Sequence, residues 1–176
     1  MKILQLCCFT NHWSDYHQVE SHDIKNGKDI FDLPDDYGKN FDFIISAPPC
    51  RQFTVANSRN WEEYPKQYIE IARKCFTISI LSGKPWVLEN VIGRIAKLLP
   101  ELKPYRVGTW KDTKTTKKHL IFSNCLIMLN IVDQTDSFPV NLMSSKREHR
   151  EAWNPSFIRS IAQNIEQSDE TGRAGL

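Results

Sequence analysis

Long apolar runs are missing from this chain. No stretch approaches the ~20 residues needed to cross a bilayer, so no membrane contact is expected. Polar residues interrupt the opening Met1-Lys2-Ile3-Leu4-Gln5-Leu6 too soon for a signal peptide, and a cytoplasmic location is the expectation. Cysteines number five, an odd count, and no CxxC pair occurs. That argues against a zinc site and a disulfide framework, and suits a reducing compartment. His12, His17 and His22 lack metal-ligand spacing, and no metal is expected. Net charge is only +2, too small to establish nucleic-acid binding and no argument against it. Internal repeats and low-complexity tracts are absent. What is present is ordinary for a folded domain: 176 residues, 40% apolar and 25% charged, enough for one full core.

The chain is organised around one stretch, residues 41–54. Phe43-Ile44-Ile45 is a continuous apolar run, the mark of a strand covered on both faces. Pro48 and Pro49 stop it, because neither has an N–H to give the ladder. Cys50 is thus expected at the carboxyl end of a strand, where open α/β sheets bind ligands. Upstream, strands are predicted over 2–8 and 18–24, the second ending in an acid. Downstream, Ile69, Ala72, Phe76 and Ile80 recur at helical spacing within 62–81, and Gly83 with Pro85 ends that helix. Trp86-Val87-Leu88 reads as the next buried strand, ending at Glu89-Asn90-Val91. Strand, helix, strand predicts a βαβ unit and a mostly parallel sheet with flanking helices. A short amphipathic helix is expected over 94–102, later strands or a hairpin at 119–122 and 125–128, and a loop over 133–148. A single domain is expected over 1–166, with a polar, frayed tail over 167–176.

Cys50 and Glu89 therefore fall at the ends of strands separated by one helix, which brings both to one sheet edge. A cysteine nucleophile needs thiolate character, and a glutamate there can exchange a proton with a ring nitrogen.

These residues resemble a known family. Pro48-Pro49-Cys50 followed by Phe53-Thr54 looks like the catalytic loop of the DNA cytosine carbon-5 methyltransferases, and Glu89-Asn90-Val91 matches their second catalytic motif letter for letter. The resemblance is to the small phage-type branch; it covers most of 1–124 and, more weakly, Asn154-Pro155. It implies a Rossmann-like class I methyltransferase fold, DNA as partner and S-adenosylmethionine as cofactor. Cys50 would attack carbon 6 of a flipped or single-stranded cytosine, Glu89 would hydrogen-bond ring nitrogen 3, and a methyl group would pass to carbon 5. Phe9, Thr10 and Asn11 would form the first cofactor loop. Asp23, with Ile24 beside it, matches the acid that holds the cofactor ribose; Asp29 and Ile30 match the pair that flanks its adenine. Ala47 and Pro48 would line the pocket, and Asn154 would return to it. Arg51, Gln52, Asn90, Lys114, Lys117 and Lys118 are the expected nucleic-acid contacts.

Three departures accompany the likeness. The family's Phe-x-Gly-x-Gly loop is replaced by Cys8-Phe9-Thr10-Asn11-His12-Trp13-Ser14, without a glycine; Asn11 can stand in for one, because Asn tolerates positive φ. The Gln-x-Arg-x-Arg motif is missing, and Lys114-Thr115-Thr116-Lys117-Lys118-His119 sits in its place. Only about 133–150 is available for target recognition, so little base-sequence selectivity is expected, or specificity supplied by a protein partner, a second copy of the chain or a small substrate. Two other readings follow: a related pyrimidine-modifying enzyme with a different one-carbon donor or a mononucleotide substrate, and a non-catalytic nucleic-acid-binding relic of the fold.

Overall fold

Residues that alternate along single strands go to opposite cores. Strand β1 (Lys2–Leu6) sends Leu4 and Leu6 to one face of a sheet and Ile3 to the other. Strand β3 (Phe43–Ser46) splits Ile44 from Phe43 and Ile45, and β4 (Trp86–Val91) splits Trp86 and Leu88 from Val87. The computed structural model describes residues 1–8, 18–54, 67–111 and 118–125. Its centre is therefore a sheet buried on both faces, which explains the unbroken apolar runs. One face is covered by helix α1 (Gln67–Leu81) through Ala72, Cys75 and Ile78. Residues 62–66 of the expected helix lie outside the described residues.

Among the described residues six strands form the sheet, in the order β2-β1-β3-β4-β6-β5. The other members are β2 (Gln18–His22), β5 (Arg106–Lys111) and β6 (Lys118–Ser123). The pairs β1·β2, β1·β3 and β3·β4 are parallel, as the βαβ reading requires. The pairs β4·β6 and β5·β6 are antiparallel, so the mostly parallel sheet is corrected to a mixed one. The reason lies in the connection. Between β4 and β6 the chain runs through helix α2 (Ile95–Leu98), the 3-10 segment Pro100–Tyr105 and β5, which delivers β6 as the second arm of a hairpin. A parallel neighbour would need a full helical crossover instead.

Several boundaries move for local reasons. The expected second strand stops at His22 because the Asp23 carboxylate caps a 3-10 turn over Ile24–Asn26, and Gly27 closes that turn at φ 77°. The helix expected over 94–102 keeps one α-helical turn, since Pro100 cannot continue it. Strand β4 ends at Val91, so the expected closing residues Glu89-Asn90-Val91 all lie within it. Among the described residues no helix is long and apolar enough to cross a membrane.

Candidate active site

Strand order 2-1-3 means that the chain leaves β1 to one side and returns on the other. That reversal opens a crevice at the carboxyl ends of the parallel strands, the general ligand position in such sheets. Both candidate centres lie along this edge.

The first is the turn after β3. Ala47 N–H still donates to the Leu6 carbonyl at 3.0 Å, extending the sheet; Pro48 and Pro49 then end the ladder. The Cys50 carbonyl accepts from Phe53 N–H at 2.9 Å and Thr54 N–H at 3.1 Å, closing a tight turn. Phe53 is fully buried and anchors it; burying such a ring stabilises by about 1.5–3 kcal/mol. Cys50 is half-buried against the α1-side core, and Arg51 is exposed. Gln52 is buried, and its Oε1 has no hydrogen-bond partner among the described residues.

Two contacts hold this turn to β4. Asn90, 1% exposed, donates from Nδ2 to the Pro48 carbonyl at 2.9 Å and accepts from Val91 N–H at 3.0 Å. Expected at the nucleic acid, Asn90 instead uses its whole amide inside the protein. Thr54 forms a β-bridge with Gly93, and Arg94 N–H donates to the Phe53 carbonyl at 2.8 Å. A Cβ on Gly93 would sit 2.0 Å from the Phe53 oxygen, so only glycine allows the approach.

Glu89 points to the face of Val87 and Ile121, opposite Asn90. Its Oε1 meets Nδ1 of His119, which β6 supplies; their side chains are 12% and 14% exposed. Burial, then the neighbouring Cys7, holds the Cys8 thiol well above its ordinary pKa, with the Glu89 and Asp23 charges adding to the rise. A hydrogen bond to Cys7, then burial, does the same for Cys75, and burial pushes up Cys125. Three of the five cysteines are thus kept as thiols, poor nucleophiles at neutral pH.

The second centre is an open groove with about 410 Å³ of empty space, lined by Cys7, Asp23, Ile24, Asp29, Ile30, Phe31, Pro49, Gln67 and Ile71. Cys7 adopts φ 56°, turning the chain at the end of β1 while its N–H still reaches the His22 carbonyl at 2.8 Å. Asp23 and Asp29 each accept a backbone N–H two residues on, from Lys25 at 2.9 Å and Phe31 at 3.0 Å. These caps fix both carboxylates at the rim. Ile24 and Phe31 are large apolar side chains left 74% and 45% exposed, the kind of surface a flat ring covers.

Asp23, Ile24, Asp29 and Ile30 thus come together in one groove, as the sequence predicts. Ala47 and Pro48 are not among its lining residues; Ala47 packs on the second core and the buried Pro48 offers its carbonyl to Asn90, while Pro49 takes the lining position. Phe9, Thr10, Asn11, Asn154, Lys114 and Lys117 lie outside the described residues, and Lys118 opens β6. Gly93 and His119 carried no site assignment in the sequence; the signal for His119 was its place in the segment standing where the Gln-x-Arg-x-Arg motif belongs. Among the described residues no group of three His, Cys, Asp or Glu side chains is arranged to hold a metal ion.

Fold and site together define a mixed α/β protein with a cysteine turn and an acid-rimmed groove at one sheet edge. No family model matches the chain, and no curated protein matches it. Among solved structures it is similar to a triple mutant of Spodoptera frugiperda DNMT2, at 18% identity and a TM-score of 0.34. The match covers 77% of this chain and 53% of that one, so the chain spans about half the length of its neighbour. A likeness of that size supports no assignment, and the site is read from its own residues.

Proposed function

We propose that the chain is a cytosine carbon-5 methyltransferase acting on DNA, with Cys50 as nucleophile and Glu89 as proton donor. One observation carries the reading: Asn90 and Gly93 tie the Cys50 turn directly to the strand that bears Glu89. A thiolate and a carboxyl group held on one rigid edge suit addition to a flat heterocycle. Sγ of Cys50 bonds to carbon 6; the carbon 5–carbon 6 electron pair shifts toward nitrogen 3, which takes the proton of Glu89. Carbon 5 thereby becomes nucleophilic. After methylation, a water molecule takes the carbon 5 proton, the C–H electron pair re-forms the carbon 5–carbon 6 double bond and expels the Cys50 thiolate, and the nitrogen 3 proton returns to Glu89. The target base reaches this edge only when flipped out or already single-stranded, at a cost of a few kcal/mol in a duplex.

S-adenosylmethionine, when bound, supplies an electrophilic methyl group. The groove fits it: Asp23 and Asp29 offer acceptors suited to ribose hydroxyls and an amino group, and Ile24 and Phe31 offer apolar walls for a purine. The groove reaches the reactive turn through Pro49, next to Cys50.

A single-stranded oligonucleotide carrying 5-fluorocytosine tests the reading, because fluorine at carbon 5 blocks the final elimination. With S-adenosylmethionine, a covalent adduct resistant to denaturation is expected on mass spectrometry. Cys50→Ala should abolish it, and Glu89→Gln should slow methylation of ordinary cytosine by about 10²–10⁴-fold. No adduct from the folded wild-type chain would overturn the proposal. A second reading rests on the glycine-free residues 8–14: the same Cys50 and Glu89 chemistry with another one-carbon donor. Micromolar binding of S-adenosylmethionine by calorimetry would remove it.

A further inference from the structure

We infer that His119 is a positioning residue for Glu89, and that the two share one proton at the ligand edge. The sheet register carries the argument. β6 runs antiparallel to β4, with Val91 opposite His119 and Glu89 opposite Ile121. Glu89 and His119 are thus diagonal neighbours on one face, within reach of each other's long side chains. Their ring nitrogen and carboxylate oxygen are in hydrogen-bond contact, and both groups are largely but not wholly buried. A pair this sheltered feels its own charges more than an exposed one would, while its remaining exposure lets a ligand reach it.

The inference rests on the proposed pyrimidine chemistry and adds a part to it. A glutamate that must give a proton to a ring nitrogen has to hold that proton near neutral pH, where an isolated carboxyl group is ionised. Imidazole is the side chain that titrates in this range. With Nδ1 against Glu89 Oε1, the pair keeps one proton between two bases. When Glu89 passes it to nitrogen 3, carboxylate and Nδ1 are both left without it, and the pair takes it back when nitrogen 3 gives it up. Among the described groups, Cys8 at the end of β1 is held neutral by burial and feels the Glu89 and Asp23 charges, and the sheet register sets Trp110 of β5 opposite His119.

Two measurements decide the matter. In the ligand-free protein, the ring-nitrogen resonances of ¹⁵N-labelled histidine are compared at one pH in wild type and in Glu89→Gln. Loss of the facing carboxylate oxygen is expected to move the His119 Nδ1 resonance and leave the histidines away from the contact in place. An unchanged His119 resonance would overturn the pairing, whatever the enzyme does. Next, methyl transfer to a cytosine oligonucleotide is measured from pH 5 to 9 in wild type, His119→Asn and His119→Gln. Glutamine keeps a donor for Glu89 but cannot titrate. The expected result is a kcat about 10–100-fold lower in both variants, with KM nearly unchanged and the His119-dependent limb of the profile gone. A wild-type profile in His119→Gln would reduce His119 to a structural partner and overturn the proton-sharing role. If wild type transfers no methyl group at any pH, the proposed function fails, and the histidine resonances alone decide the pairing.

Discussion

Asn90 is the residue on which the two halves of the site depend. Its amide bridges 42 residues of sequence to reach the Pro48 carbonyl, and its oxygen takes the next backbone N–H. Replacing it with Asp keeps the shape and removes the donor, leaving two oxygens face to face in a buried place. A stability loss of about 1–3 kcal/mol is expected in urea melts. Adduct formation with 5-fluorocytosine DNA should slow at least about tenfold, a modest displacement of reacting groups being enough for that. Affinity for S-adenosylmethionine should stay put, because Asn90 is not part of the groove lining. The positions of Cys50 and Glu89 along neighbouring strands were legible in the sequence because a proline turn and a solid apolar run leave a local signature. Which way Asn90 and Gln52 face was not: both look like surface polar residues until a neighbouring strand buries them.

At the scale of elements, the turn after β3 is shaped by what touches it as much as by its own prolines. Gly93 is the clearest case, since any side chain there collides with the Phe53 carbonyl. Gly93→Ala should separate the Thr54 bridge and cost about 1–3 kcal/mol through overpacking. Thermal melts will register that loss, and a crystal structure of the variant should find the Cys50 turn moved away from β4. Strands β1, β3 and β4 and helix α1 were readable because their apolar residues follow a period or form a solid run. Strand β5 was not. Its opening residues Arg106 and Val107 are both exposed, and a register shift against β6 falls between Arg106 and Gly108, so no inward-outward alternation betrays it. The antiparallel pairing of β6 was equally hidden, since the hairpin that imposes it depends on that unread strand.

Across the molecule, the sheet's outer strand β2 is fastened by a second polar group. Tyr37 donates its hydroxyl to Glu20 Oε1 at 2.6 Å, and His22 Nε2 meets the same oxygen at 2.9 Å. The Tyr37 bond, first among the causes, lowers Glu20 from its ordinary 4.5, and the same bond raises Tyr37 above 10.0. The signs fix the window. Glu20's contribution is complete above 4.5 and is lost as pH falls through its lowered value; Tyr37's is complete below 10.0 and is lost as pH rises through its raised one. Tyr37→Phe should therefore cost about 1 kcal/mol at pH 7, and the deficit should shrink in denaturant melts as pH drops below 4. The strand reversal at β4 has a further result, in the order of manufacture. A growing chain exposes Cys50 and Glu89 first, and the histidine follows 30 residues after the glutamate. Until it arrives, the acid lacks its imidazole and β4 is an open border. A ribosome-bound intermediate can thus carry a formed cysteine turn before the Glu89–His119 contact exists, and under the proposed function methyl transfer waits for β6, the last of the described strands.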